Sequence, residues 1–138
     1  MALVEWRTRG VKVMTLDARE RLLLVRNGYG RRDLWVLPGG GVKRSESLED
    51  AAQRELMEEV ACRLDALCGL GMFRSSAEGR RDTVHLFRAT TVDAPCVDGT
   101  EVIEAKFFAF DALPPSTSSA TLRRVAELRG ERVSDGRW

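Results

Sequence analysis

The chain has 138 residues, 43% hydrophobic and 31% charged, which suits one globular domain with its own core and leaves no room for a second module. Its 22 basic and 21 acidic residues give a net charge of +1, so duplex nucleic acid is a disfavoured partner, while a small phosphorylated substrate needs only a local basic cluster. Cys62, Cys68 and Cys96 form no C-x-x-C pair, and no run approaches the eighteen or so apolar residues of a membrane span; a disulfide framework, a thiolate metal site and a membrane partner are all argued against, and a reducing cytoplasm is expected.

In chain order, "GVKVMTL" and "RLLLVRN" are β-rich runs joined by the polar "DARE", a pattern that predicts a hairpin. "LWVL" reads as a short strand stopped by Pro38 and by Gly39, Gly40 and Gly41, which are expected to form a tight strand-to-helix turn. A helix is expected from Ser47 to Val60. Two further strands, "RLDALCGLGMFR" and "DTVHLFRATTV", flank a turn in "SSAEGRR" that leaves Arg80 and Arg81 solvated, and "EAKFFAF" is another strand. After Pro114 and Pro115, "STSSATLRRVAELRG" opens with capping residues and predicts a closing helix, followed by a frayed tail over residues 131–138. Strands outnumber helices without alternating with them, so the fold class is α+β with a mixed sheet covered by a few helices.

The first helix carries the chemical signal. At about 100° per residue with Glu55 at zero, Leu48 lies near 20°, Ala51 near −40°, Ala52 near 60°, Glu59 near 40° and Glu58 near −60°. The carboxylates therefore continue the apolar stripe, while Asp50, Gln53 and Arg54 point elsewhere. Like charges so placed repel, and more strongly when desolvated. Arg54 can pair with Glu58, yet from the far side of the helix it is not expected to neutralise all three glutamates. A hard divalent cation can, because Mg²⁺ and Mn²⁺ favour carboxylate oxygens and share their shells with substrate phosphates. The glycines ahead of the helix let backbone groups approach such a ligand without Cβ obstruction.

These residues resemble a known pattern. From Gly40, five residues lead to Glu46 and seven more to Arg54-Glu55, followed by Leu56, Met57, Glu58-Glu59, Val60, Ala61 and Cys62. The spacing is similar to the Nudix box, with Ala61 where that family usually has glycine and Ser45 where it commonly does; "LWVLPGG" and "FFAFDALPP" resemble its flanking segments. Glycine at position 61 would supply a left-handed helix cap, and its replacement costs about 1 kcal/mol if that geometry is kept.

The resemblance implies an α/β/α sandwich around a mixed central sheet, and metal-dependent hydrolysis of a nucleoside diphosphate linked to another moiety. It implies that Glu55, Glu58, Glu59 and the Gly39 carbonyl bind Mg²⁺ or Mn²⁺, that Arg54 steadies a carboxylate, and that Glu46 orders the loop. Glu55 is the first choice for deprotonating or orienting the attacking water, with Glu59 close behind. Glu101 is preferred as a further acid because Glu104 adjoins a strand and can pair with Lys106. Arg26, Tyr29, Arg31 and Arg32 are expected to hold phosphates or stack on a base, with Gly40 lying where phosphate oxygens arrive. Trp35 is read as core and His85 as a packed or edge-strand residue; Trp6 and Phe73 are conceivable stacking partners. The alternatives are a catalytically silent nucleotide sensor or a hydrolase acting on the phosphorylated end of RNA. Assembly as a homodimer stays open.

Overall fold

The computed structural model describes residues 7–77 and 80–138, so Trp6 lies outside the described residues. The elements are β1 (Arg7–Leu16), β2 (Leu22–Asn27), β3 (Trp35–Val36), β4 (Gly39–Gly41), α1 (Leu48–Val60), β5 (Asp65–Ala77), β6 (Arg80–Thr90), β7 (Val102–Phe108) and α2 (Ser119–Leu128). β1 and β2 form the expected hairpin, with Leu16 opposite Leu22, and the Asp17 carboxylate closes the turn by accepting from the Arg19 and Arg21 amides at 3.0 and 2.8 Å. The strands run in the order β3-β2-β1-β6-β5, with β4 on β1 and β7 on β2. β1 and β6 are parallel and the other pairs antiparallel, so the sheet is mixed.

Strand alternation divides the core into two layers. Val11, Val13, Leu23, Val25, Phe87 and Ala89 pack with Ala51, Ala52, Leu56 and Val60 of α1. Met14, Leu16, Leu22, Leu24, Val84 and Leu86 face Phe73, Trp35 and Val125 of α2. A helix on each face of one sheet is the sandwich anticipated. No helix is long and apolar enough to cross a membrane among the described residues.

The glycine triplet departs from expectation. It forms β4 rather than a turn, with Gly10, Val11 and Lys12 opposite Gly41, Gly40 and Gly39. A Cβ on Gly39, whose φ is +145°, would lie 2.0 Å from the Val11 carbonyl oxygen and 2.9 Å from the Lys12 Cα, so only glycine fits that approach. β1 therefore pairs with β4 at its middle, Gly10 to Lys12, and meets β2 only at Leu16. α1 packs on β4, β1 and β7 beside this divergence.

α1 begins where predicted: the Ser47 hydroxyl caps it by accepting from the Asp50 amide at 3.0 Å, with Glu49 and Asp50 placed favourably in the first turn. It ends at Ala61, whose φ of 57° and ψ of 34° keep the left-handed cap without glycine. Ser45 likewise has φ 65°. The start of α2 is tied to β3: the Trp35 amide donates to the Ser116 carbonyl and the Ser118 amide to the Trp35 carbonyl, each at 2.9 Å.

Two further expectations need correcting. Most of the supposed turn around "SSAEGRR" is strand, since β5 runs to Ala77 and β6 starts at Arg80, placing Arg80 and Arg81 in a ladder. The tail expected to fray is docked on β5. The Arg74 amide donates to the Gly136 carbonyl and the Trp138 amide to the Arg74 carbonyl, both at 2.8 Å, while the Trp138 ring meets Phe73 edge-on at 5.7 Å. One aromatic side chain and an open strand edge give this polar segment a seat that its composition hides.

Candidate active site

The buried residues of α1 are Ala51, Ala52, Leu56 and Val60, which centres the buried arc near about 65° on the scale used above. Glu59 falls inside that arc, Glu55 at its margin and Glu58 on the rim. Glu55 is accordingly 13% exposed and Glu58 56%, so Glu58 does not share the inward phase expected of it.

Arg54 pairs with Glu58 and steadies Glu55 as expected, without reaching Glu59, and it also joins Glu46. Nε and Nη2 grip the Glu46 carboxylate at 2.7 and 2.9 Å, Nη1 donates to Glu55 at 2.9 Å and Glu58 at 3.3 Å, and Nη2 also reaches the Gly41 carbonyl at 2.9 Å. The forked bond from Arg54, helped by the Lys43 amide at 3.0 Å, holds the Glu46 carboxyl down at about 2. Glu46 thus ties the loop ahead of α1 to the helix.

Glu59 lies beyond the reach of this network. Its Oε2 accepts from the Gly39 amide at 2.9 Å. Burial nevertheless raises its pKa to about 7; the opposing pull of Lys12 and the Gly39 amide is insufficient, and the charges of Glu55 and Glu101 raise it further. Lys12, which the sequence reading passed over, sits on the other side of Gly39 and donates from Nζ to the Leu37 carbonyl at 3.0 Å. Burial lowers its pKa against the upward pull of Glu59 and Glu55. The available signal was a lysine within the apolar run "GVKVMTL". At Gly40 a Cβ would lie 2.6 Å from Glu55 Oε2, so the space left by the missing side chain is taken by that carboxylate.

The loops after β2 and before β7 meet each other. The Gly28 amide donates to the Glu101 carbonyl at 2.8 Å, and a Cβ on Gly28 would come within 2.4 Å of the Thr100 carbonyl oxygen, so the segments touch backbone to backbone. Tyr29, 65% exposed, has its phenol pKa raised by burial first and then by Glu59, Glu101 and Glu55, which places all three charges within its electrostatic reach. The contact between the Gly28 and Glu101 segments brings the loop carrying Tyr29 next to the one carrying Glu101. Arg26 is engaged elsewhere: it meets Glu104 at 2.8 Å and the Arg32 carbonyl at 2.9 Å, and its guanidinium lies 5.5 Å from the Trp35 ring centre. Glu104 also pairs with Lys106 at 3.3 Å, as anticipated. Arg31 is paired with Asp33 at the surface, outside the carboxylate cluster. Trp35 is buried against Phe108, and His85 sits within the sheet between Val11 and Met72.

The donor types would suit a hard divalent cation, since carboxylates and a backbone carbonyl offer oxygen ligands; burial is the main cause of the raised Glu59 pKa, with the charges of Glu55 and Glu101 adding to it. They do not form a finished cage. Among the described residues, no three His, Cys, Asp or Glu side chains converge as a metal-binding group. Glu55 is turned toward Arg54 and Glu59 toward the Gly39 amide.

The NUDIX domain model matches residues 6–128. A protein of Bacillus subtilis (strain 168), provisionally named an 8-oxo-dGTP diphosphatase, is 34% identical over 110 residues, or 78% of this chain and 70% of that protein. An RNA pyrophosphohydrolase of Teredinibacter turnerae is 42% identical over 55 residues, covering 40% of this chain and 32% of the relative. The crystal structure of a MutT NUDIX hydrolase from Burkholderia pseudomallei superposes with a TM-score of 0.79 at 26% identity, covering 89% of this chain and 98% of the other.

Proposed function

This chain belongs to the NUDIX family, and from that footing we propose that it is a divalent-cation-dependent pyrophosphohydrolase whose substrate is a nucleoside triphosphate, ordinary or oxidised. The carrying observation is geometric: Arg54 holds Glu55 at 2.9 Å, the Gly39 amide holds Glu59 at 2.9 Å, and the missing Cβ of Gly40 leaves room for the Glu55 carboxylate, so two acids of α1 lie against the glycine strand. A free-nucleotide substrate is favoured over RNA by the extent of the likeness. The relative provisionally named for 8-oxo-dGTP aligns along 78% of this chain, the RNA-acting relative along 40%. Three unpaired cysteines suit the cytoplasm.

Glu55, Glu58, Glu59 and the Gly39 carbonyl would hold Mg²⁺ or Mn²⁺, which supplies charge neutralisation on the phosphates and a lowered pKa for the attacking water. Glu55 is the residue assigned to orient that water or accept its proton, because Arg54 fixes one of its oxygens at 2.9 Å and Gly40 admits the carboxylate against the backbone. Glu59 is the second candidate, held by the Gly39 amide at 2.9 Å on the same face of α1. Glu101 adds negative charge from the facing loop. The exposed Tyr29 ring offers a stacking face for a base, and the Arg26 guanidinium, held by Glu104 and the Arg32 carbonyl, would meet a phosphate oxygen.

The test is a screen of ordinary and oxidised nucleoside triphosphates, nucleotide sugars, ADP-ribose and triphosphate-ended RNA, each with Mg²⁺ or Mn²⁺, using ¹⁸O-labelled water to locate the attacked phosphorus. Cation-dependent cleavage of triphosphates ahead of RNA is expected. Undiminished cleavage in excess chelator, or binding without turnover of every compound, would overturn the proposal.

A further inference from the structure

We infer that the sheet face running from β1 to the docked tail is a docking surface for single-stranded nucleic acid, gripped by Arg9, Arg74 and Arg137. The strand registers place these arginines in one line. Arg9 of β1 is paired with Thr83 of β6, Thr83 with Arg74 of β5, and Arg74 with Arg137 of the tail, where the Arg74 and Trp138 amide bonds lock the last pair at 2.8 Å. Cross-strand partners share a face of the sheet. Arg9 lies two residues from Val11 and Thr83 four from Phe87, both on the α1 side, while Phe73 and Trp138, the neighbours of Arg74 and Arg137, meet on the opposite side. All three arginines therefore stand on the α1 side. They are exposed there, because α1 packs on β4, β1 and β7 and the row runs away from it over β6 and β5.

The positive charge of the row is uncompensated. Among the described residues, none of the three guanidiniums pairs with a carboxylate. The acids closest in sequence are turned elsewhere: Asp82 meets the Thr8 hydroxyl, and Asp135 meets the Arg132 guanidinium and the Arg137 amide. With strands about 4.8 Å apart the row spans about 14 Å, enough for forked contacts to more than one phosphate of an extended backbone. The next row on the same face is Val11, His85 and Met72, with Met72 54% exposed, and it offers unstacked bases an apolar surface and a ring. A duplex keeps its bases inside and an acidic peptide has none, so the single strand is the occupant that both rows fit.

Neither the row nor its test involves the α1 carboxylates. Fluorescence anisotropy of a labelled oligouridylate with a 5′ hydroxyl, in excess chelator, keeps hydrolysis out of the reading. The dissociation constant is expected on the order of 10–100 µM at low salt, rising with KCl along a logarithmic slope of about 2, for three phosphate contacts at about 0.7 each. Arg9→Gln, Arg74→Gln and Arg137→Gln should each weaken binding and lower that slope by about 0.7. Arg19→Gln, in the β1–β2 turn at the other end of the sheet, should change neither. Thermal melting of the three variants should match that of the starting protein, since the exchanged side chains are exposed. Absence of binding, or binding that the three substitutions leave unchanged, would overturn the inference. Equal affinity for the same oligonucleotide annealed to oligoadenylate, or displacement by polyglutamate as complete as by unlabelled oligouridylate, would overturn it too.

Discussion

Each helix is organised around one arginine, and the two differ in the sign of the charge left over. Arg54 on α1, 19% exposed, satisfies Glu46, Glu55 and Glu58 together, and acid remains unbalanced beside it at Glu59. Arg124 on α2 is fully enclosed. Its guanidinium lies 4.2 Å from the Phe73 ring centre and 4.9 Å from that of Trp138, with Nε 2.9 Å from Glu127 although without hydrogen-bond alignment. Glu127 is shared with Arg132 at 3.2 Å, so there the excess is basic and aromatic faces absorb it. An arginine among aromatics with one carboxylate is a packing device. An arginine that leaves a neighbouring carboxyl, Glu59, raised to about 7 chiefly by burial stands where the proposed cation would add its charge.

The comparison breaks most sharply at the carboxylates. Glu55→Gln and Glu58→Gln should each lower turnover on the order of a hundredfold or more while leaving thermal melting nearly unchanged, since a ligand should matter at least as much as its supporting contacts. Full activity in both variants would refute the assignment.

Exchanging the two arginines for methionine should separate the two roles. Arg124→Met is expected to cost about 3 kcal/mol in urea denaturation, because a buried partner is removed, with kcat retained by the folded fraction. Arg54→Met should do the reverse: activity falls roughly ten- to a hundredfold with a smaller stability loss. Matching profiles for both would erase the distinction.

Glu59 offers a pH test. Its pKa in the folded chain is raised from 4.5 to about 7, so folding favours its protonated form. That contribution is fully present below pH 4.5 and is lost as the pH rises through 7, about 3 kcal/mol in all for cation-free protein. Glu46 shifts the other way, to about 2, and its contribution is present above pH 4.5 and lost as the pH falls through 2. Urea melts in chelator at pH 5 and pH 8 should show the upper loss, and Glu59→Gln should flatten it; an unchanged slope in that variant would place the titration elsewhere. The smallest effect lies at the helix margins, where Ala61→Gly and Ser45→Gly should each stabilise by up to about 1 kcal/mol by relieving left-handed backbone. A loss of stability in both would show that the chain tolerates those angles without strain.

The cap at Ser47, the buried face of α1 and the β1–β2 hairpin were legible in the sequence because each depends on local periodicity or local hydrogen bonding. β4 was not. Three glycines carry no strand signal, and their pairing is decided by how closely β1 approaches them. The carboxylate spacing was equally plain, whereas its sorting was not: a long side chain such as Arg54 reaches around the helix, and a buried arc centred on Ala52 and Leu56 turns Glu58 outward. Lys12 escaped notice because its partners lie on β3–β4 and α1, far along the chain. Trp138 was hidden likewise, in a polar tail anchored by one ring and by backbone bonds to Arg74.

The most direct measurement is a manganese anomalous difference map from crystals grown with Mn²⁺ and a non-hydrolysable nucleoside triphosphate. The account predicts a peak bounded by oxygens of Glu55, Glu58 or Glu59 and the Gly39 carbonyl, next to the phosphates. Nucleotide bound with no peak there, or with the ion held only by groups outside α1 and β4, would contradict it.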